Sequence, residues 1–101
     1  MEKKDFESDT RYAATWRDEN GRLRPINFYV YRLYDEFMIV RMTDREGFLR
    51  RLPYEDIVKI VRTMPVREED RFFLPEAILA EANWKDRTVM HTYSSSPHMG
   101  K

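Results

Sequence analysis

Residues 28–61, FYVYRLYDEFMIVRMTDREGFLRRLPYEDIVKIV, constrain the fold more than any other part of the chain. Apolar and polar side chains alternate here over short runs, the period of a half-buried strand, and turn-forming clusters separate the runs. A helix would need apolar residues recurring every three or four positions, and this stretch sustains no such pattern. It also holds most of the apolar residues able to share one core. The rest of the chain must therefore be arranged around a bent antiparallel sheet.

A first strand is expected upstream, over 11–17, where Tyr12, Ala14 and Trp16 fall on one face and Arg11, Ala13, Thr15 and Arg17 on the other. Asn20-Gly21 comes next, a pair that accepts the positive φ of a tight hairpin. The second strand is expected over 26–33, with Phe28, Val30 and Arg32 on one face and Tyr29, Tyr31 and Leu33 on the other. Apolar mass on both faces makes it a central strand or one covered on both sides. Pro25 lacks an N–H and belongs at the start of that strand or at an unpaired edge.

A third strand over 37–43 and a fourth over 48–52 are joined by Asp44-Arg45-Glu46-Gly47, which suits a type I turn closed by glycine. Pro53 opens a 3₁₀ turn over 53–56. The fifth strand, 57–61, sets Ile57, Lys59 and Val61 opposite in facing to Val58 and Ile60, and a short sixth is expected over 88–93. Between these last two, residues 74–84, LPEAILAEANW, carry the one helix signal. Pro75 suits the first turn, Glu76 the positive end of the dipole, and Ala77, Ile78, Ala82 and Trp84 form an apolar stripe. So short a helix must dock on the sheet to persist.

The expected fold class is mainly β with one C-terminal helix: a small SH3-like or Sm-like barrel, or a strongly bent antiparallel sheet of five to six strands. The likeness to those barrels is one of strand order and implies no function. A length of 101 residues allows one domain. It is expected over 11–93, between a flexible N-terminal tail, 1–10, in which only Phe6 is large and apolar, and a flexible polar tail, 94–101.

Charge narrows the functions. Eighteen basic residues balance eighteen acidic ones, which argues against a protein whose main task is to grip nucleic acid electrostatically. Thirteen of the eighteen are arginine, whose planar fork suits carboxylate, phosphate and aromatic contacts. The absence of cysteine removes disulfides, thiolate nucleophiles and cysteine-ligated metals. The first residues lack the apolar core of a secretory leader, and no run is long enough to span a membrane, so a cytoplasmic protein without a membrane role is expected.

The sharpest pattern is the arginines of the third hairpin. A bulged turn sets Arg41 across from Arg51, and a two-residue loop sets it across from Arg50. Like charges directly opposed are unfavourable, so the pair calls for an anion, supplied either by an internal acid or by a ligand. Arg32 could extend that face, as could Arg62, and Tyr29 and Tyr31 stand beside it. Tyrosine with arginine fits a protein interface, and aromatics beside arginines can also stack on bases.

Catalytic constellations are thin. His91 and His98 lack a third metal ligand at usable spacing. Ser94, Ser95 and Ser96 lie near His91 in sequence, but a triad is defined by geometry. Glu55-Asp56 and Glu68-Glu69-Asp70 sit on turns, and three glycines form no phosphate loop. No cofactor and no metal are expected. The sequence thus favours a non-catalytic protein-interaction or assembly module that uses Arg41, Arg50, Arg51, Arg32, Tyr29 and Tyr31. A second protein is the expected partner, and homo-oligomers could form through a strand edge. The alternative is an Sm-like barrel that binds nucleic acid.

Overall fold

The computed structural model describes residues 1–43, 47–84 and 89–90, with side chains described as far as Trp84. Its strands are β1 (Thr10–Arg17), β2 (Leu23–Leu33), β3 (Phe37–Met42), β4 (Leu49–Pro53), β5 (Ile57–Pro65) and β6 (Val89–Met90). They form one antiparallel sheet in the order β5-β1-β2-β3-β4-β6. The sheet is open. It curls enough to carry the Arg50 guanidinium of β4 over the Trp16 ring of β1, 4.6 Å from its centroid, yet among the described residues no ladder joins the two ends. Of the two architectures expected, the closed barrel is therefore not formed.

Strand alternation sorts the core into two layers. Tyr12, Ala14, Ile26, Phe28, Val30, Met38, Val40, Leu52, Tyr54 and Ile57 are buried on the inner face of the curl. Tyr29, Tyr31, Ile39 and Leu49 are buried on the outer face, beneath residues 66–84. That segment runs through a 3₁₀ turn at Glu68–Asp70 and a one-turn helix, α1 (Glu76–Leu79). A second 3₁₀ turn, Glu81–Trp84, ends it. The continuous helix expected over 74–84 is broken at Ala80, whose ψ of 133° is extended. The break turns Leu79 and Trp84 onto the sheet and leaves Ala77 and Ala82 in solvent, so of the expected stripe Ile78 and Trp84 pack against the sheet and the two alanines do not.

The first ten residues, expected as a loose tail, are packed. Phe6 is buried against Tyr12, Phe28 and Tyr54. Burying one phenyl ring is worth about 1.5–3 kcal/mol, while each ordered residue costs about 1–2 kcal/mol, so Phe6 cannot hold the segment alone. The Glu7 N–H donates to the Tyr12 hydroxyl at 2.8 Å, and the Asp9 N–H donates to the Val30 carbonyl at 2.7 Å. Asp9 takes the left-handed conformation, φ 55°, which short polar side chains tolerate.

Three registers depart from simple alternation. Val30 pairs with Val40 and Arg32 with Ile39, so Tyr31 is an extra residue in β2. The bulge exchanges the facings of the residues beyond it. Leu33 joins Phe28 and Val30 on the inner layer, and Arg32 turns outward with the tyrosines, the reverse of the expected assignment. β3 and β4 pair Arg41 with Leu49, Val40 with Arg50 and Ile39 with Arg51. No arginine opposes another there, because the pairing differs from both expected registers; residues 44–46 of the expected turn lie outside the described residues. β5 runs to Pro65, beyond its expected end, with register shifts that leave Val58 and Val61 as extra residues. Ile57 and Ile60 therefore face the core, while Lys59 and Arg62 face out opposite Thr15 and Ala13.

Other expectations hold. Tyr12, Ala14 and Trp16 share the inner face of β1. The hairpin between β1 and β2 turns through Gly21, φ 79°. The 3₁₀ turn before β5 lies at Tyr54–Asp56. Pro25 sits inside β2, in the part that β3 does not pair. Residues 91–101, with His91, His98 and the serines, lie outside the described residues, as does most of the expected sixth strand.

Candidate functional site

The expected site residues are not one surface. Arg41 and the two tyrosines lie in a closed layer, because residues 66–84 cross above them. Arg41 is 5% exposed. Its Nε donates to the Tyr31 hydroxyl at 2.7 Å, its Nη1 donates to the Gly47 carbonyl at 3.1 Å, and its guanidinium lies 4.7 Å from the Phe72 ring centroid. The Tyr29 hydroxyl donates to Asp9 and accepts the Phe72 N–H at 3.3 Å. Burial pushes the Tyr31 phenol up to about 12. Burial also raises the Tyr29 phenol well above its ordinary value, reinforced by its hydrogen bond to the Asp9 carboxylate. These groups hold a structural layer together and offer no surface.

The remaining three arginines are dispersed. Arg32 makes a bidentate pair with Glu76, at 2.8 and 2.5 Å, and so clamps α1 to β2. Arg50 and Arg51 alternate onto opposite faces of β4. The first lies over Trp16 and the second over Phe37, 5.5 Å from its ring centroid. Acids stand near both: Arg50 and Arg51 share a cavity of about 460 Å³ with Asp18, Glu19 and Asp56. A larger groove of about 890 Å³ beside the N-terminal segment mixes Lys3, Lys4 and Arg51 with Asp35, Glu36 and Glu55. Neither concavity presents one charge sign. Among the described residues no group of three His, Asp or Glu side chains could hold a metal ion.

A surface built from acid-free strands exists elsewhere, although Arg17 at its end also lines the mixed-charge cavity beside Asp18, Glu19 and Asp56. β1 and β5, TRYAATWR and IVKIVRTMP, contain Arg11, Arg17, Lys59 and Arg62 and no acid. All four cations are exposed, and among the described residues none forms an ion pair. Residues 66–84 cover the β2–β4 half of the outer face and leave this half open. Its register pairs Arg62 with Ala13 and Met64 with Arg11, so Arg11 and Arg62 are diagonal neighbours across the two strands. Such neighbours stand about 7–8 Å apart at the backbone, within reach of long side chains. A cavity of about 350 Å³ lies between them, lined also by Ala13, Asn27, Thr43, Val61 and Met64. Val61 is 62% exposed and Val58 44%.

Sequence reasoning placed the paired arginines on the wrong ladder. Absence of acids was no signal, since none of the six strands contains one. Nothing in the sequence says that β1 and β5 are neighbours. Comparison of the chain with protein-family models, with curated proteins and with solved structures finds no match.

Proposed function

We propose that this chain is a non-catalytic interaction module that docks a partner protein on the open β5–β1 half of its sheet. The observation that carries the reading is the contrast between the two halves of the outer face. One is sealed by the chain's own residues 66–84. The other presents cations that form no ion pair among the described residues, interleaved with exposed Val58 and Val61 and half-buried Met64. Apolar side chains ringed by arginine suit a protein interface. An SH3-like or Sm-like relationship, as an open sheet and not a closed barrel, is part of this proposal. Support for it comes from the curl of the sheet, the pairing of β1 with β5 and the 3₁₀ turn that leads into β5.

Nucleic acid is the second reading, and the same four cations favour it. Against it, the open half carries no exposed aromatic ring on which a base could stack: Tyr12 and Tyr29 are both buried. The test is affinity capture with the full chain from nuclease-treated lysate, using wild type and Val58→Gln/Val61→Gln, which keeps every cation. A protein retained by wild type and lost with the double variant is the expected result. Equal retention would remove the β5–β1 face as the docking site.

A further inference from the structure

Two guanidinium groups at diagonal positions repel unless an anion stands between them. Internal acids neutralise Arg24 through Asp18 and Arg32 through Glu76, and Arg67 pairs with Glu69 and Asp70. Arg11 and Arg62 have no such partner among the described residues. The nearest acid in sequence, Asp9, is engaged by the Tyr29 hydroxyl and stands 3.9 Å from Arg71. The cavity between Arg11 and Arg62 adds the Asn27 amide and the Thr43 hydroxyl, two further donors able to complete an oxyanion's hydrogen bonds. Val61 and Met64 line the rest of it together with Tyr12 and Ala13. A ligand that fills it carries an oxyanion and an apolar side chain close together.

On this basis, and resting on the docking face proposed above, we infer that the partner is an acidic, amphipathic polypeptide segment, one carboxylate of which seats between Arg11 and Arg62. Charge complementarity selects the acid, and the valine and methionine wall selects a side chain beside it over a bare phosphate backbone. The two extra residues of β5, Val58 and Val61, break the regular row of edge donors and acceptors. The segment therefore docks across the sheet face through side chains and does not add a strand to the edge.

The experiment is fluorescence anisotropy of the full chain with three labelled probes: a short peptide alternating glutamate and valine, its lysine–valine counterpart, and a thymidine oligonucleotide of matching charge. The glutamate peptide should bind, weaken as salt is raised, and lose roughly tenfold or more in affinity with Arg11→Glu or Arg62→Glu. Lys3→Glu, which alters a cation of the larger groove beside the N-terminal segment, should leave it unchanged. No binding of the glutamate peptide, or equal binding to Arg62→Glu, overturns the inference. Tighter binding of the oligonucleotide, lost with Arg62→Glu, overturns it in favour of nucleic acid. Lysate capture separates the two levels. Capture abolished by Val58→Gln/Val61→Gln but kept by Arg11→Glu and Arg62→Glu leaves the docking face standing and removes its acidic partner.

Discussion

The Nε of Arg41 donates to the Tyr31 hydroxyl at 2.7 Å in a layer that water barely reaches, with Tyr31 8% and Arg41 5% exposed. Tyr31 is also the bulged residue of β2. One side chain thus sets the facing of Arg32 and satisfies a buried cation. Removing one partner of a buried hydrogen bond costs the desolvation of the other, roughly 1–3 kcal/mol. Tyr31→Phe should lower stability by about that amount in urea unfolding. Replacing both groups, Tyr31→Phe with Arg41→Met, should cost less than the sum of the single changes, because no orphaned donor remains. A purely additive result would show that the two side chains do not depend on each other.

Phe6 and Phe73 offer a direct contrast. Phe6 is 3% exposed and touches three aromatic rings, whereas Phe73 is 70% exposed. Phe6→Ala should destabilise by about 3–5 kcal/mol. Phe73→Ala should stay within about 0.5 kcal/mol of wild type. Thermal unfolding of the two variants side by side checks the packing of the N-terminal segment. Equal midpoints would mean that residues 1–10 are not part of the folded unit.

Alkali should unfold this protein through its tyrosines. The phenols of Tyr31 and Tyr54 are raised to about 12, Tyr29 is raised further and Tyr12 is also raised, in every case chiefly by burial. A group raised in the folded state holds its proton there after the unfolded chain has lost it. Its contribution is fully present below the ordinary value of 10.0 and is lost as pH rises through the folded value. Each such phenol adds at most about 1.4 kcal/mol of lost stability per pH unit in that window. Phenolate absorbance from these residues should appear together with the loss of the far-ultraviolet β signal. Full ionisation of all six tyrosines with the sheet intact would contradict the burial described.

Asp18 contributes to the acid limb. Its carboxylate accepts the Asn20 and Arg22 N–H groups, each at 2.9 Å, and the Arg24 Nε at 2.8 Å. The Arg22 backbone bond is the main reason its carboxyl lies below the ordinary 3.8. A lowered group stabilises the fold above its unfolded value, and that contribution disappears as pH falls through the folded one. Asp18→Asn should therefore flatten the loss of stability as pH falls below the ordinary carboxylate value of 3.8. An unchanged acid limb would show that the carboxylate does not hold this turn.

Strand identity was legible because period-two alternation survives wherever one face is buried. Tyr12, Ala14 and Trp16 were readable as a face from spacing alone, and Asn20-Gly21 as a turn. Register was not legible. One extra residue at Tyr31 reverses every facing beyond it, and only packing against Ile39 and residues 66–84 decides that Tyr31 is the one expelled. The same holds at Val58 and Val61. The opposed arginines of the third hairpin depended on the turn, and a different pairing put Leu49 opposite Arg41. The long helix failed at Ala80 because seating both Leu79 and Trp84 on the sheet outweighs the propensity of an alanine-rich segment. Arg11 and Arg62 could not be placed together from the sequence, since their diagonal positions join the first strand in the chain to the fifth.

The pairing of β1 with β5 has a consequence for how the protein is made. A ribosome delivers β1 first, and its outer neighbour arrives only after β2, β3 and β4 have emerged. The hairpins can form as they appear, but β1 keeps one unsatisfied edge until residue 65 is out. The layer around Arg41, Tyr29 and Tyr31 stays wet for longer still, since its cover reaches to Trp84. The nascent chain therefore passes through a stage with a complete set of hairpins and an uncovered aromatic face. That stage is the one at which a chaperone, or a neighbouring nascent copy, meets the tyrosines that the finished protein hides.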